Sequence, residues 1–325
     1  MKALICEAFG PYKSHKVKEV DAPEIKPGHV RVAVRAAGVN FPDILIVEGK
    51  YQLKPPFPFI PGSECAGVVS ELGEGVTDYK IGDEVFFGAM HGAFAEEVVV
   101  PTALLFRVPK DMSFEQASAV NLVYGTSYHA LKDRAEVKPG DKVFVLGAAG
   151  GVGLAAVELA KAMGATVIAG ASSDEKCEVA RQHGADMVIN YVRDDIKETV
   201  RQLTRGGVDV VYDPVGDALA EPAFRTLTWG GRYLVVGFAG GDIPRLPLNL
   251  TLLKSADVRG VFWGQWLARN PEAHRQNTNE FLEMFEKGQI KPRISAAYPL
   301  ADFVKAYDDL AERRAMGKVV LTMGG

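Results

Sequence analysis

The chain has 325 residues, with 37 Lys and Arg against 41 Asp and Glu and a net charge of −4. That balance offers no basic field to nucleic acid or to an anionic membrane surface, and 47% apolar with 24% charged residues excludes a disordered chain. At roughly 150 residues per domain, the length suits two domains.

The first third reads as strands. KALICEA, HVRVAVRAAGV, CAGVVSEL, DEVFFGA and AFAEEVVVP are short runs rich in Val, Ala and Phe, punctuated by PEIKPGH, KPPFPFIPG and YKIGD. This pattern predicts a barrel-like or sandwich-like β domain. From Ser113 the sequence turns helical: SFEQASAVNLVYGTSYHALKDRA has Ser113 as its N-cap and Glu115 and Gln116 in its first turn, and VKPGD breaks it. From Lys142 the strand-like runs KVFVLG, TVIAGA, MVINY, DVVYDPVG, RYLVVGFAG and VRGVFW alternate with helical ones. Regular alternation predicts a parallel, doubly wound sheet, and apolar strands fit burial on both faces. After Trp263 the helical EAHRQNTNEFLEMFEKG is followed by RISAAYPL and KVVLTM. The last short strand is expected to complete a sheet begun in the N-terminal domain, which makes the alternating region an insertion.

Cys6, Cys65 and Cys177 lack the spacing of a metal knuckle or a redox CxxC and read as reduced thiols. No window reaches ~18 consecutive apolar residues, and MKALICEAFG lacks the apolar core of a signal peptide. A soluble, cytoplasmic protein is expected.

Between KVFVL and the next helix stand Gly147, Gly150, Gly151, Val152 and Gly153. Glycines here permit a tight turn, let the backbone approach a pyrophosphate and let the helix pack near the strand, while the helix N-terminus presents N–H groups to the phosphates. The second strand then ends in Gly170, Ala171, Ser172 and Ser173, where an NAD site carries an acid for the ribose 2′-hydroxyl. Asp174 reads as the start of the next helix. Ser172, Ser173, Lys176 and Tyr191 could instead receive a 2′-phosphate, so the expected cofactor is NADP(H).

The runs AAGVNFPDILIVEGKY, FIPGSECAGVVSELGEGV, YKIGDEVF, YHALKDRAEVKPGDKVFVLGAAGGVG, ASSDEKCEVARQHGADMVINY and GKVVL span essentially the whole chain. Together they resemble the zinc-free NADPH:quinone oxidoreductase (zeta-crystallin-like) branch of the medium-chain dehydrogenase/reductase superfamily. The resemblance implies a Rossmann NADP-binding domain, residues 122–263, inserted into a GroES-like, partly closed β-barrel catalytic domain, residues 1–121 plus 264–325, with the active site in the cleft between them. It also implies a homodimer that pairs its last Rossmann strands, near ADVRGVFW. Zinc-dependent relatives place a ligand Cys at the position of Asn40 and a ligand His at that of Ser63. They also carry a four-cysteine lobe where DEVFFGAMHGAFAEE contains no cysteine. Amide and hydroxyl are poor zinc ligands, and the six histidines show no ligand spacing, so no metal is expected.

Without a metal, hydride transfer needs an electrophile that is already activated, such as a quinone or an α,β-unsaturated carbonyl, and a donor for the oxygen on which charge develops. The resemblance assigns this role to Tyr51 in GKYQLKPPFPF. It places Asn40 near the substrate or the cofactor amide, and Asp43 either in the chemistry or in holding the loop. It places Thr126, Gly237, Phe238, Phe262 and Trp263 around the nicotinamide, and Lys318 in GKVVL as a further cofactor contact. Two other readings stand beside a quinone or enone reductase: an enoyl-thioester reductase, for which Arg269 and Arg275 offer a sparse basic patch, and a non-catalytic NADPH-binding structural or sensing protein. In the first two the partner is a small-molecule electrophile.

Overall fold

A computed structural model describes residues 1–52 and 54–324. The chain forms two compact units, Met1–Leu122 with Pro292–Gly325, and Val123–Lys291.

The first unit opens with β1 (Lys2–Ile5) and β2 (Lys16–Glu19), an antiparallel pair. β3 (His29–Val39) leads into α1 (Phe41–Val47), followed by β4 (Glu64–Leu72), β5 (Glu84–Gly88), β6 (Glu97–Pro101), β7 (Phe106–Arg107) and the short α2 (Phe114–Ala117). β3 alternates in exposure along its first half, with Val30, Val32 and Val34 turned into the core, as a strand with one buried face requires. Ser113 caps α2 and Gln116 completes a capping box, but the helix stops after four residues. The predicted continuous helix is therefore broken: the Ser118 carbonyl lies 2.4 Å from where a Cβ on Gly38 would stand, so the segment is pressed against β3 before helix resumes.

Helix resumes with α3 (Asn121–Tyr128), which carries the chain across the boundary and runs into a π-helical turn, His129–Arg134. The second unit then alternates β8 (Lys142–Val145), α4 (Gly151–Ala162), β9 (Thr166–Ala171), α5 (Asp174–Gln182), β10 (Met187–Asn190), α6 (Ile196–Thr204), β11 (Val208–Asp213), α7 (Ala220–Phe224), β12 (Leu227–Val235), α8 (Asn249–Lys254) and β13 (Asp257–Gly260). α9 (Trp263–Arg269) and α10 (Pro271–Glu286) close it. Its six strands are parallel in the order β10-β9-β8-β11-β12-β13, the doubly wound order with its switch point between β8 and β11. Val143, Phe144, Val145, Val210, Val211 and Tyr212 are fully buried, which explains their unbroken apolar sequence.

The first unit is completed by β14 (Ile294–Pro299), α11 (Phe303–Ala311) and β15 (Lys318–Thr322). β15 pairs antiparallel with β3 and parallel with β14, giving a seven-stranded sheet. The pairing brings Lys318, at the start of β15, to the end of β3.

Candidate functional site

In the second unit, the turn after β8 lies at the switch point. Gly147 has φ 58°, the left-handed region that glycine adopts without penalty. A Cβ on Gly153 would lie 2.3 Å from the Gly147 carbonyl oxygen, so helix and turn pack at a distance only glycine permits. The first α4 hydrogen bond runs from Leu154 N–H to the Gly150 carbonyl at 2.8 Å. The N–H groups of Gly151, Val152 and Gly153 precede it, at the positive end of a twelve-residue helix with no acid in its first turn. On the Gly150 side a Cβ would meet only the Gly147 oxygen, at 3.4 Å. Backbone N–H groups at the positive end of a helix, beside a turn this tight, are of the kind a pyrophosphate fits. Ser127 fastens it from α3, donating to the Val152 carbonyl at 2.9 Å and pairing with the Tyr212 hydroxyl at 2.9 Å. Thr126, half-buried, precedes Ser127.

At the end of β9, Ser173 caps α5 by accepting the Lys176 N–H at 3.2 Å, and Lys176 Nζ donates to Ser172 Oγ at 3.3 Å. The Tyr191 N–H bonds the Ala171 carbonyl at 3.1 Å, which seats Tyr191 beside the same strand end. The nearest acid, Asp174, is engaged elsewhere: it accepts from Asn190 Nδ2 at 2.9 Å and pairs with Arg193 at 3.2 Å. Ser172, Ser173, Lys176 and Tyr191 thus lie at one strand end, a donor set that fits a phosphate better than a hydroxyl.

At the end of β11, the buried Asp213 accepts the N–H groups of Val215 and Gly216, each at 2.8 Å, and the Tyr233 hydroxyl. Burial pushes its carboxyl up against the pull of these bonds. The loop so fixed supports the one after β12: Ala239 and Gly240 donate to the Pro214 and Val215 carbonyls, and Gly237 N–H bonds Asp213 O at 3.3 Å. Phe238 and Phe262 are exposed, by 39% and 56%. Trp263 is buried over Gly125, where a Cβ would come within 2.6 Å of its ring, and sets its edge against His274.

In the first unit, Asn40 ends β3 and α1 begins. Asp43 Oδ2 reaches back to the Asn40 N–H at 2.8 Å and accepts the Ser63 hydroxyl on Oδ1 at 3.2 Å. Asn40 Nδ2 donates to Glu64 Oε1 at 2.9 Å and lies 3.4 Å from Ser63 Oγ. Lys318 Nζ donates to the Val39 carbonyl at 3.0 Å, to Glu64 Oε1 at 2.9 Å and to Asn40 Oδ1. Glu64 Oε2 takes the Leu122 N–H at 2.9 Å. Asn40, Asp43, Glu64 and Lys318 are all buried.

This node has one ammonium and two carboxylates. Glu64 and Lys318 neutralise each other, so the second carboxyl, Asp43, is pushed up to about 7 by burial, with Glu64 adding to the rise and the Asn40 N–H, Lys318 and Ser63 opposing it. Tyr51, partly buried against the same core, is also raised, by burial and by Asp43. Among the described residues no group of three His, Cys, Asp or Glu side chains is placed to hold a metal ion. The structure brings Asn40 and Asp43 together as the sequence grouped them. Lys318, expected at the cofactor, has all three ammonium hydrogens directed into this node. Glu64 was not singled out from the sequence, and the only signal was its place after Ser63 in GSE.

Residues 26–110 match the family described as alcohol dehydrogenase GroES-like domain, and residues 151–286 the family described as zinc-binding dehydrogenase. A quinone oxidoreductase-like protein 2 homolog of Nematostella vectensis is 38% identical over 324 residues, covering 98% of this chain and 88% of its own. Quinone oxidoreductase-like protein 2 of Bos taurus is 39% identical over 309 residues, 94% of this chain and 88% of its own. The structure of Escherichia coli quinone oxidoreductase complexed with NADPH superposes with a TM-score of 0.90 at 29% identity, covering 99% of this chain and 100% of that one. An amide and a hydroxyl occupy the positions at which the resemblance puts the thiolate and imidazole of zinc-dependent relatives, and the relatives named here are quinone oxidoreductase-like proteins and a quinone oxidoreductase. The chain therefore belongs to the zinc-free quinone oxidoreductase branch of the medium-chain dehydrogenase/reductase superfamily and is an oxidoreductase.

Proposed function

We propose that the protein uses NADPH to reduce a quinone or an α,β-unsaturated carbonyl without a metal. The observation that carries this reading is the gathering of Ser172, Ser173, Lys176 and Tyr191 at the end of β9, with Asp174 turned to Asn190 and Arg193. When bound, NADPH supplies the hydride. The N–H groups of Gly151, Val152 and Gly153, beyond Gly150, hold its pyrophosphate. Thr126, Gly237, Phe238, Phe262 and Trp263 are assigned to its nicotinamide end, where the exposed Phe238 and Phe262 rings would be covered by the bound cofactor.

The Tyr51 hydroxyl donates to the acceptor's carbonyl oxygen as negative charge develops there. Burial and Asp43 hold it in its protonated, donating form. Asn40, locked by Lys318 and Glu64, is a positioning residue for the same segment. Conjugated acceptors take hydride without a Lewis acid, which suits a node built of amide, hydroxyl and an internally paired ammonium. The names of the matched relatives support a quinone as acceptor. We also infer a homodimer through the β13 edge, where Val258 on the strand and Leu252 and Leu253 on α8 are exposed; an open apolar edge is covered by pairing.

The test is oxidation of NADPH, with NADH in parallel, against a benzoquinone, a naphthoquinone, a simple enone and an enoyl-CoA, using wild type and Tyr51→Phe. The expected result is turnover of a quinone or the enone, with NADPH preferred by ~10-fold or more, as charge-assisted contacts to one phosphate imply, and a large loss of kcat in Tyr51→Phe. Turnover of enoyl-CoA alone would move the assignment to a thioester reductase. Tight NADPH binding with no turnover on any acceptor would overturn the enzymatic reading.

A further inference from the structure

Two-electron reduction of a quinone or enone adds one hydride and takes up one proton. Tyr51 is a poor source of that proton at neutral pH, because burial, with Asp43 adding to it whenever that carboxyl is ionised, raises its phenol above the ordinary range. A good source is an acid that is protonated near pH 7, lies close to the site and connects to it through a hydroxyl.

The node has that arrangement. Asp43 is 1% exposed. Its Oδ2 is anchored on the Asn40 N–H, and its Oδ1 lies 3.2 Å from Ser63 Oγ. Ser63 is only half-buried, so its hydroxyl joins the buried carboxyl to a surface that Asp43 does not reach. Glu64 cannot serve in the same way, since both its oxygens are already taken up as acceptors by Lys318, Asn40 and the Leu122 N–H. The charged and titratable groups facing Asp43 are Lys318 and Glu64, with Tyr51 and Tyr307 near enough to feel its charge. The Tyr307 hydroxyl is buried with no hydrogen-bond partner among the described residues and is pushed far up by burial, so it stays protonated and contributes no charge.

We propose that Asp43 stores the proton consumed in the reduction and that Ser63 Oγ relays it. In the step, the hydrogen bond that Ser63 gives to the carboxylate runs the other way: the bond from protonated Asp43 Oδ1 to its proton breaks and a new one forms to Ser63 Oγ. The proton already on Ser63 passes to the oxygen of the reduced acceptor, and Asp43 is left as carboxylate. Water returns a proton to it before the next turnover. The electrons come only from the NADPH hydride, so the step balances with no further reactant. This inference rests on the reductase reading above and adds the origin of the proton.

The test combines a spectroscopic titration with pH profiles of kcat. In infrared difference spectra of the cofactor-free protein, a carboxylic C=O band should titrate near pH 7 in wild type and be missing from Asp43→Asn. In turnover with a quinone, wild-type kcat should fall as pH rises through the same value. Ser63→Ala should lower kcat ~10² -fold, the scale of a lost proton-transfer path, and lose the pH dependence, while Ser63→Thr, which keeps a hydroxyl, should restore both. NADPH affinity and thermal melting of Ser63→Ala should match wild type, which separates loss of the relay from loss of the fold. An Asp43 that is ionised at pH 5, or a Ser63→Ala profile that superposes on wild type, overturns the relay and leaves the reductase reading standing. A wild type that turns over none of the acceptors overturns the reductase reading and the relay with it.

Discussion

The turn after β8 and the node at the start of α1 handle charge in opposite ways. The turn has no charged side chain and presents backbone N–H groups at a helix N-terminus, where Gly147 and Gly153 pack at a distance only glycine permits. The node buries Asp43, Glu64 and Lys318 side by side and depends on the pairing of Glu64 with Lys318. A backbone site carries no ion to desolvate. A buried ion pair stays tolerable only while each partner is present, since removing one leaves an unpaired charge in a low dielectric. The turn should therefore be sensitive to volume and the node to charge.

Lys318→Met should have the largest effect. It leaves Glu64 buried against Asn40 with no counter-ion and should cost ~3–5 kcal/mol of unfolding free energy, measured by urea denaturation at pH 7. Adding Glu64→Gln removes the stranded charge and should recover most of the loss. A double variant no more stable than the single one would break the comparison, because neutralisation would then not be what holds the node together.

The next effect is one of pH. The Asp43 carboxyl is raised to about 7 in the folded protein, against ~3.9 for a free aspartate. Between these values the folded state binds the proton that the unfolded state has released. Its contribution to stability is therefore fully present below about pH 4 and lost as pH rises through about 7, at up to ~1.4 kcal/mol per pH unit. Asp43→Asn keeps an acceptor for the Asn40 N–H and has no charge to bury. Relative to wild type it should gain stability steadily from pH 4 to pH 7 and hold a constant advantage above. A difference independent of pH would mean that Asp43 is ionised throughout.

The same contrast explains what could be read from the sequence. The glycine turn was legible because its parts lie within seven residues, between a strand and a helix whose patterns are local. So was the far end of β9, where Ser172, Ser173 and Lys176 span five positions and the missing acid shows directly. The node joins residues 40, 43, 63, 64 and 318, and the Lys318–Glu64 contact closes a separation of 254 positions. No local pattern marks it. Lys318 before a terminal strand looks like any solvated lysine, and its partner becomes apparent only when β15 pairs with β3. The break between α2 and α3 was hidden for the same reason: it follows from the approach of Ser118 to Gly38 on another strand, and helix propensity along the segment does not record it.

Gly153→Ala tests the volume half of the comparison. The added Cβ would start 2.3 Å from the Gly147 oxygen, against backbone that cannot rotate away, so turn and helix must separate. Overpacking of this kind costs ~1–3 kcal/mol. NADPH affinity should fall by at least as large a factor as stability, because the N–H groups that meet the phosphates move with the helix. Calorimetric titration with NADPH beside a thermal melt checks both, and unchanged affinity in a folded Gly153→Ala protein would remove the turn from the cofactor site.

The smallest effect separates two adjacent serines. The Ser173 hydroxyl is committed to the Lys176 N–H as the cap of α5, whereas Ser172 Oγ meets the Lys176 ammonium. Ser173→Ala should therefore lose about 1 kcal/mol of stability, the usual value of an N-cap, and leave the preference for NADPH over NADH nearly intact. Ser172→Ala should do the reverse, with little change in melting temperature and a reduced preference, because it removes a neutral donor beside the phosphate while the lysine stays. Measuring Kd for both cofactors and Tm for both variants decides the matter. If Ser173→Ala erodes the preference as strongly as Ser172→Ala, the cap and the phosphate contact are one device, and the α5 N-terminus itself takes part in cofactor binding.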